Sequence, residues 1–240
     1  MKIIVLSIFI FLFYLQIHAQ KSTWDKPYSF DNELVVRSIK KNDNPNIVLT
    51  SLDFTKIADE DRINFALGKP FRFGIPISVD LNLNNSGVWF ELENGDRLWL
   101  LTIKCPSAKS INLTYDQFWL PNGGLLYLYD KTKTIYIGGF SKDSNKGTKE
   151  KPSKFVTGLI YSDEIVLEYY EPKSVNGEGI ISISNVVYGY RDMLEELDID
   201  SGSSISCYNN INCSPEGDDW QDEKTSVAKM AMSGYACSGS

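Results

Sequence analysis

The chain has 240 residues, 42% of them hydrophobic and 12% aromatic, enough to bury the core of one or two domains. Its formal net charge of −7 argues against nucleic acid, whose phosphates call for a basic face. The single histidine, His18, lies near the start, so a chain trimmed after it has no imidazole for a triad or a metal site.

Residues 1–19 read as a signal peptide. Lys2 supplies the positive end, Ile3 to Leu15 are almost wholly apolar, and Ile17-His18-Ala19 offers a small residue for cleavage between Ala19 and Gln20. The apolar run is too short to cross a bilayer, which needs about 20 residues. No later stretch is longer or more apolar, so the expectation is export, to the medium or the cell surface, without a membrane span once the signal is removed.

Residues 20–46 are mixed and polar, and Lys40 to Asn46 read as a loop. Asp53 to Leu67 predict a short helix capped by Asp53 or Thr55 and ended by Gly68 and Pro70. Its acidic run Asp59-Glu60-Asp61 is not an EF-hand, because Asn64 and Pro70 stand where the central Gly and the distant Glu belong. A solvated helix face is expected there.

From Arg72 to Tyr188 the pattern is strand after strand. Strands are predicted over Arg72–Asn84, Val88–Leu92, Arg97–Ile103, Ile111–Tyr115, Leu125–Tyr129, Thr134–Ile137, Phe155–Tyr161, Glu164–Tyr170 and Ile180–Tyr188. Glu93-Asn94-Gly95-Asp96 between two aromatic-rich runs is a strong hairpin signal. Short strands separated by turn residues indicate an all-β antiparallel sandwich spanning residues 20–200, with 20–46 irregular. Ser141 to Ser153 lack apolar residues and read as a mobile loop, and Met193 to Leu197 as one more helical turn.

At Asp198 the texture changes. Residues 198–206 are small and polar, as at interdomain boundaries and proteolytic nicks, and 201–240 form a separate segment. Ser226 to Met232 predict a strand, Ser233-Gly234 a turn, and Tyr235 to Ser240 the returning strand. Three of the four cysteines, Cys207, Cys213 and Cys237, crowd here, while Cys105 stands alone. Exported proteins use cysteine chiefly in disulfides. Four cysteines allow three connectivities, one joining Cys207 to Cys213 and Cys105 to Cys237; alternatively the C-terminal three seek partners outside this chain and Cys105 is a buried thiol.

No serine sits in Gly-x-Ser-x-Gly, and Ser238 has no imidazole to activate it. The adjacent acids Glu195-Glu196 and Asp218-Asp219 point apart and read as solvated. No zinc spacing is present, so neither metal nor cofactor is expected. Trp89, Phe90, Trp99, Phe118, Trp119, Tyr127 and Tyr129 could line a sugar-stacking face, but at strand periodicity they read first as core. Asn84-Asn85-Ser86, Asn112-Leu113-Thr114 and Asn212-Cys213-Ser214 match the glycosylation sequon.

The C-terminal segment resembles the opening of the mature domain of secreted lysyl endopeptidase-like serine proteases, a trypsin-like branch. The resemblance rests on Ser206-Cys207-Tyr208-Asn209, Cys213-Ser214-Pro215-Glu216-Gly217-Asp218, Ser226-Val227-Ala228 and Cys237-Ser238-Gly239-Ser240, with the intervals between the cysteines. Upstream, Arg72-Phe73-Gly74, the Trp89 to Trp99 hairpin, Leu120 to Leu125 and Glu168 to Pro172 resemble the β-rich propeptide of such proteases.

The resemblance implies a propeptide over 20–200, cleavage around Asp200, Ser201 and Gly202, and at 201–240 the incomplete start of a chymotrypsin-like β-barrel. It also implies that Cys207, Cys213 and Cys237 pair with cysteines further along the protease domain. The catalytic histidine, aspartate and serine would likewise follow residue 240, so this chain alone is expected to be inactive. The complete enzyme would cleave protein substrates through an acyl-enzyme, and the propeptide, in intramolecular contact with the protease, would inhibit it or assist its folding. No Lys or Arg directly precedes Gly202, and the nearest upstream basic residue is Arg191, so self-cleavage by a lysine-specific enzyme is not implied. Two other readings stand beside this one: an exported β-sandwich carbohydrate-binding module, and a protease inhibitor built from the region before residue 200.

Overall fold

The computed structural model describes residues 26–31, 47–193, 215, 218–220, 222 and 228–239. They form an all-β fold of antiparallel sheets, and no closed barrel is present among them. Two short helices, α1 (Tyr28–Asp31) and α2 (Phe54–Ala66), lie outside the sheets.

One sheet is built on β5 (Arg97–Lys104), β10 (Glu164–Glu171), β7 (Leu125–Asp130) and β8 (Tyr136–Phe140), in that spatial order. On the free side of β5, β4 (Val88–Glu91) pairs antiparallel and the two-residue β1 (Ile47–Val48) pairs parallel. The second sheet has the order β3 (Gly74–Asn82), β11 (Ile180–Gly189), β6 (Ser110–Trp119) and β9 (Ser153–Val156). One continuous core joins them: Trp99, Leu101 and Ile103 of β5 and Leu167 and Tyr169 of β10 pack with Leu113, Tyr115, Ile183 and Tyr188 of the other sheet. Two sheets sharing one apolar layer make a β-sandwich.

The Asn-Gly hairpin forms as expected. Asn94 Oδ1 accepts the Asp96 N–H, and Gly95 takes φ +84°, open to glycine at no steric cost. Helix α2 starts where its cap predicts: Asp53 Oδ1 accepts the N–H groups of Thr55 and Lys56, and Gly68 beyond its end has φ +66°. Trp99 and Trp89 donate their indole N–H to the carbonyls of Ser86 and Leu83, so the turn before β4 is held by the core tryptophans.

Four expectations are corrected. The segment 141–153 is anchored: Asn145 exchanges two hydrogen bonds with the Leu120 main chain, and Ser141 caps a 3-10 turn at Lys142–Ser144. Asn145, Ser141 and Ser144 hold the segment by hydrogen bonds, while the lysines between and after them stay exposed. The strand expected at Thr134–Ile137 begins later, at Tyr136, because Asp130 takes the N–H groups of Thr132, Thr134 and Ile135 into a turn. Within 20–46, α1 is helical and Ser29 is buried. Asn112 is buried too, so folding closes its sequon, whereas Asn84 is exposed.

Candidate functional site: the seat of the C-terminal hairpin

A third, small sheet joins distant parts of the chain. Its strands are β12 (Ala228–Met232), β13 (Tyr235–Gly239) and β2 (Phe71–Arg72). Ser233 (φ +47°) and Gly234 (φ +89°) form the two-residue turn between β12 and β13, both left-handed as a type I′ turn requires. Beyond the turn, Tyr235 and Ala236 pair with Arg72 and Phe71. The Gly234 carbonyl accepts the N–H groups of both Phe73 (2.8 Å) and Gly74 (3.0 Å). Ala236 is buried with Phe73, Val187 and Met193.

Polar groups fix this seat from behind. Arg72 donates to Asp61 Oδ1 at 2.8 Å and to Glu60 Oε2 at 3.2 Å, both on α2. The Tyr190 hydroxyl donates to Asp61 Oδ2 at 2.6 Å, and Arg191 reaches the same oxygen at 2.9 Å. Burial and the bond to Asp61 raise the Tyr190 pKa, keeping the phenol protonated as a donor. The Arg191 guanidinium also lies 5.0 Å from the Phe71 ring centroid.

The expected solvated face at Asp59-Glu60-Asp61 is therefore corrected at Asp61, which is 8% exposed and answers two arginines and a phenol. Nothing in the local sequence marks it, because its partners lie 11 to 130 positions away. The cluster locks α2, β2 and the chain leaving β11 together beneath the hairpin.

Of the residues singled out from sequence, Cys237 lies on β13 opposite Met230. Cys207, Cys213, the cleavage region Asp200, Ser201 and Gly202, and the signal site Ala19 and Gln20 lie outside the described residues. Cys105 is a free, fully buried thiol, and burial raises its pKa to about 12. Of the aromatic residues, Trp99, Phe118, Tyr127 and Tyr129 are buried and Trp89, Phe90 and Trp119 half-buried, so they belong to packing, not to an open stacking platform.

No family model matches the chain. Among solved structures it is similar to a family 35 carbohydrate-binding module from an environmental isolate, at 13% identity over 49% of this chain and 88% of the other, with a TM-score of 0.21.

Proposed function

We propose that the chain is the N-terminal part of an exported serine endopeptidase precursor, in which a β-sandwich propeptide holds the opening hairpin of the protease until cleavage around Asp200–Gly202. Two things support this reading. The Cys207, Cys213 and Cys237 spacing resembles the start of lysyl endopeptidase-like proteases. The observation that carries it is the docked hairpin: the segment bearing Cys237 is sheet-paired with β2, and its Ala236 packs onto Phe73, Val187 and Met193. A protease whose first hairpin is held by the propeptide has its barrel kept from closing, which is a means of latency. Cleavage would release the hairpin to the enzyme, which would then act through serine, histidine and an oxyanion hole.

The reading frame beyond codon 240 supplies the test. The expected result is a Thr-Ala-x-His-Cys-like segment, followed by labelling of the processed polypeptide, and not of its precursor, with a fluorophosphonate. A continuation without any such histidine segment, or a processed product that takes no label, overturns the reading.

A further inference from the structure

Three places in the chain carry the pair Asn-Gly: Asn94-Gly95, Asn122-Gly123 and Asn176-Gly177. Asparagine is among the heat-labile residues, and glycine after it removes the side chain that would hinder the reaction. The glycine nitrogen attacks the asparagine Cγ, the N–Cγ bond forms, the Cγ–Nδ2 bond breaks, and the side-chain nitrogen leaves as ammonia. Water then opens the cyclic imide at either carbonyl, leaving aspartyl or isoaspartyl. Since the reacting pair is the same at all three places, the fold decides which of them reacts.

All three asparagines are exposed, and all three glycines have positive φ, at +84°, +83° and +81°. In the β4–β5 hairpin the attacking group is occupied. The Gly95 N–H donates to the Leu92 carbonyl at 2.8 Å, and the Asn94 side chain is held at both ends by Asp96.

The other two turns form a closer comparison. Pro121–Gly124 and Val175–Glu178 are closed by the same bond, from the Gly124 N–H to the Pro121 carbonyl (3.1 Å) and from the Glu178 N–H to the Val175 carbonyl (3.0 Å). Glycine with positive φ stands third in each, as a type II turn requires. The closing bond leaves the N–H of that glycine unused. At Gly177 it donates to Glu171 Oε2 at 2.9 Å, a buried carboxylate that also holds Arg97. Among the described residues, nothing accepts from the Gly123 N–H and nothing holds the Asn122 side chain. A nitrogen must give up its proton to attack. A hydrogen bond to a carbonyl opposes that, and a carboxylate opposes it further by repelling the negative charge that develops.

We propose that Asn122 is a self-modification site, losing its side-chain amide to the Gly123 nitrogen, while the hydrogen bonds at Gly95 and Gly177 hold back the other two pairs. The turn concerned links β6 in one sheet to β7 in the other, and Gly123 lies so close to Pro172 that a Cβ on it would come within 2.9 Å of the proline Cγ. Isoaspartyl adds a carbon to the main chain at this point. The Gly124–Pro121 bond is then lost, and this corner of the sandwich loosens as the molecule ages.

The test incubates the full folded chain in mildly alkaline buffer. Peptides holding each pair are followed by mass spectrometry, and isoaspartyl is labelled with protein isoaspartate methyltransferase. Position 122 is expected to convert about tenfold to a hundredfold faster than positions 94 and 176, the factor set by one hydrogen bond to the attacking group. The chain unfolded in urea is expected to convert all three at similar rates, and Asn122→Gln to abolish most of the labelling of the folded chain. Conversion of folded Asn94 or Asn176 as fast as Asn122, or a folded Asn122 that stays intact while the unfolded chain reacts, overturns the proposal.

Discussion

Gly234 and Gly74 meet main chain to main chain: the Gly74 N–H donates to the Gly234 carbonyl at 3.0 Å, and a Cβ built on Gly234 would lie 2.2 Å from the Gly74 carbonyl oxygen. Only a residue without a side chain permits this approach, and φ of +89° at Gly234 adds a second demand for glycine. Gly234→Ala is therefore expected to weaken the docking of the hairpin by about 1–3 kcal/mol. Hydrogen exchange reads it directly, as an increase of about tenfold to a hundredfold at the Phe73 and Gly74 amides, with the core amides of β10 unchanged.

Asp61 is the shared acceptor for Arg72, Arg191 and Tyr190, so removing its charge takes a counterion from two partly buried guanidinium groups at once and leaves Glu60 as the carboxylate on Arg72. Asp61→Ala should cost about 3–5 kcal/mol, the usual penalty for breaking one side of a buried pair. Urea denaturation measures it. Asp59→Ala two positions earlier, whose exposed pairing with Arg62 is worth little, is expected to change the midpoint hardly at all.

Glu168 predicts a distinctive pH response. Burial raises its pKa, outweighing the hydrogen bonds from Ser29 and Tyr129 that act the other way. A carboxyl whose folded pKa lies above its unfolded one stabilises the fold fully below the unfolded value, near 4.3, and that contribution is lost as pH rises through the folded value. Glu168→Gln keeps the shape and removes the titration. Its melting temperature is expected to match the parent at pH 4 and to equal or exceed it at pH 8; a parent that gains stability relative to the variant on going to pH 8 would contradict this.

Asp130 behaves in the opposite sense. Burial alone would raise its pKa, but donors from Thr132, Ile135 and Thr134 reverse the shift and lower it. Its contribution is present above the unfolded value and disappears as pH falls through the folded one. Asp130→Ala should cost about 1.5–3 kcal/mol at neutral pH, and the difference from the parent should shrink on acidification below pH 4.

Cys105 gives a chemical check on the core. Fully buried and with its pKa near 12, it should resist a water-soluble thiol reagent in the native protein and react within the dead time in urea. A count of rapidly reacting native thiols that includes Cys105 would show the sandwich open at that corner.

Reading by periodicity and turn chemistry located the elements that depend on near neighbours. The Trp89 to Trp99 hairpin follows from Asn94-Gly95, and α2 from Asp53. What it missed depends on polar groups meeting across long separations. Asp61 and Glu168 look like surface acids because each neighbouring sequence is ordinary, and it takes Arg72, Tyr190 and Arg191 for one, and Ser29 and Tyr129 for the other, to make them interior. The segment around Asn145 misled for the same reason: lack of apolar residues argues for mobility only when nothing accepts its hydrogen bonds, and Leu120 does.

The place of β2 has a consequence for biogenesis. Phe71 and Arg72 emerge from the ribosome more than 160 residues before Tyr235 and Ala236, the residues that pair with them. At roughly 5–20 residues per second the ribosome needs on the order of ten to thirty seconds to connect the two events. Through that interval the short edge formed by β2 waits uncovered while the sandwich below it folds, so whatever meets the nascent chain first, whether chaperone or export machinery, meets it in a form that the finished protein never displays.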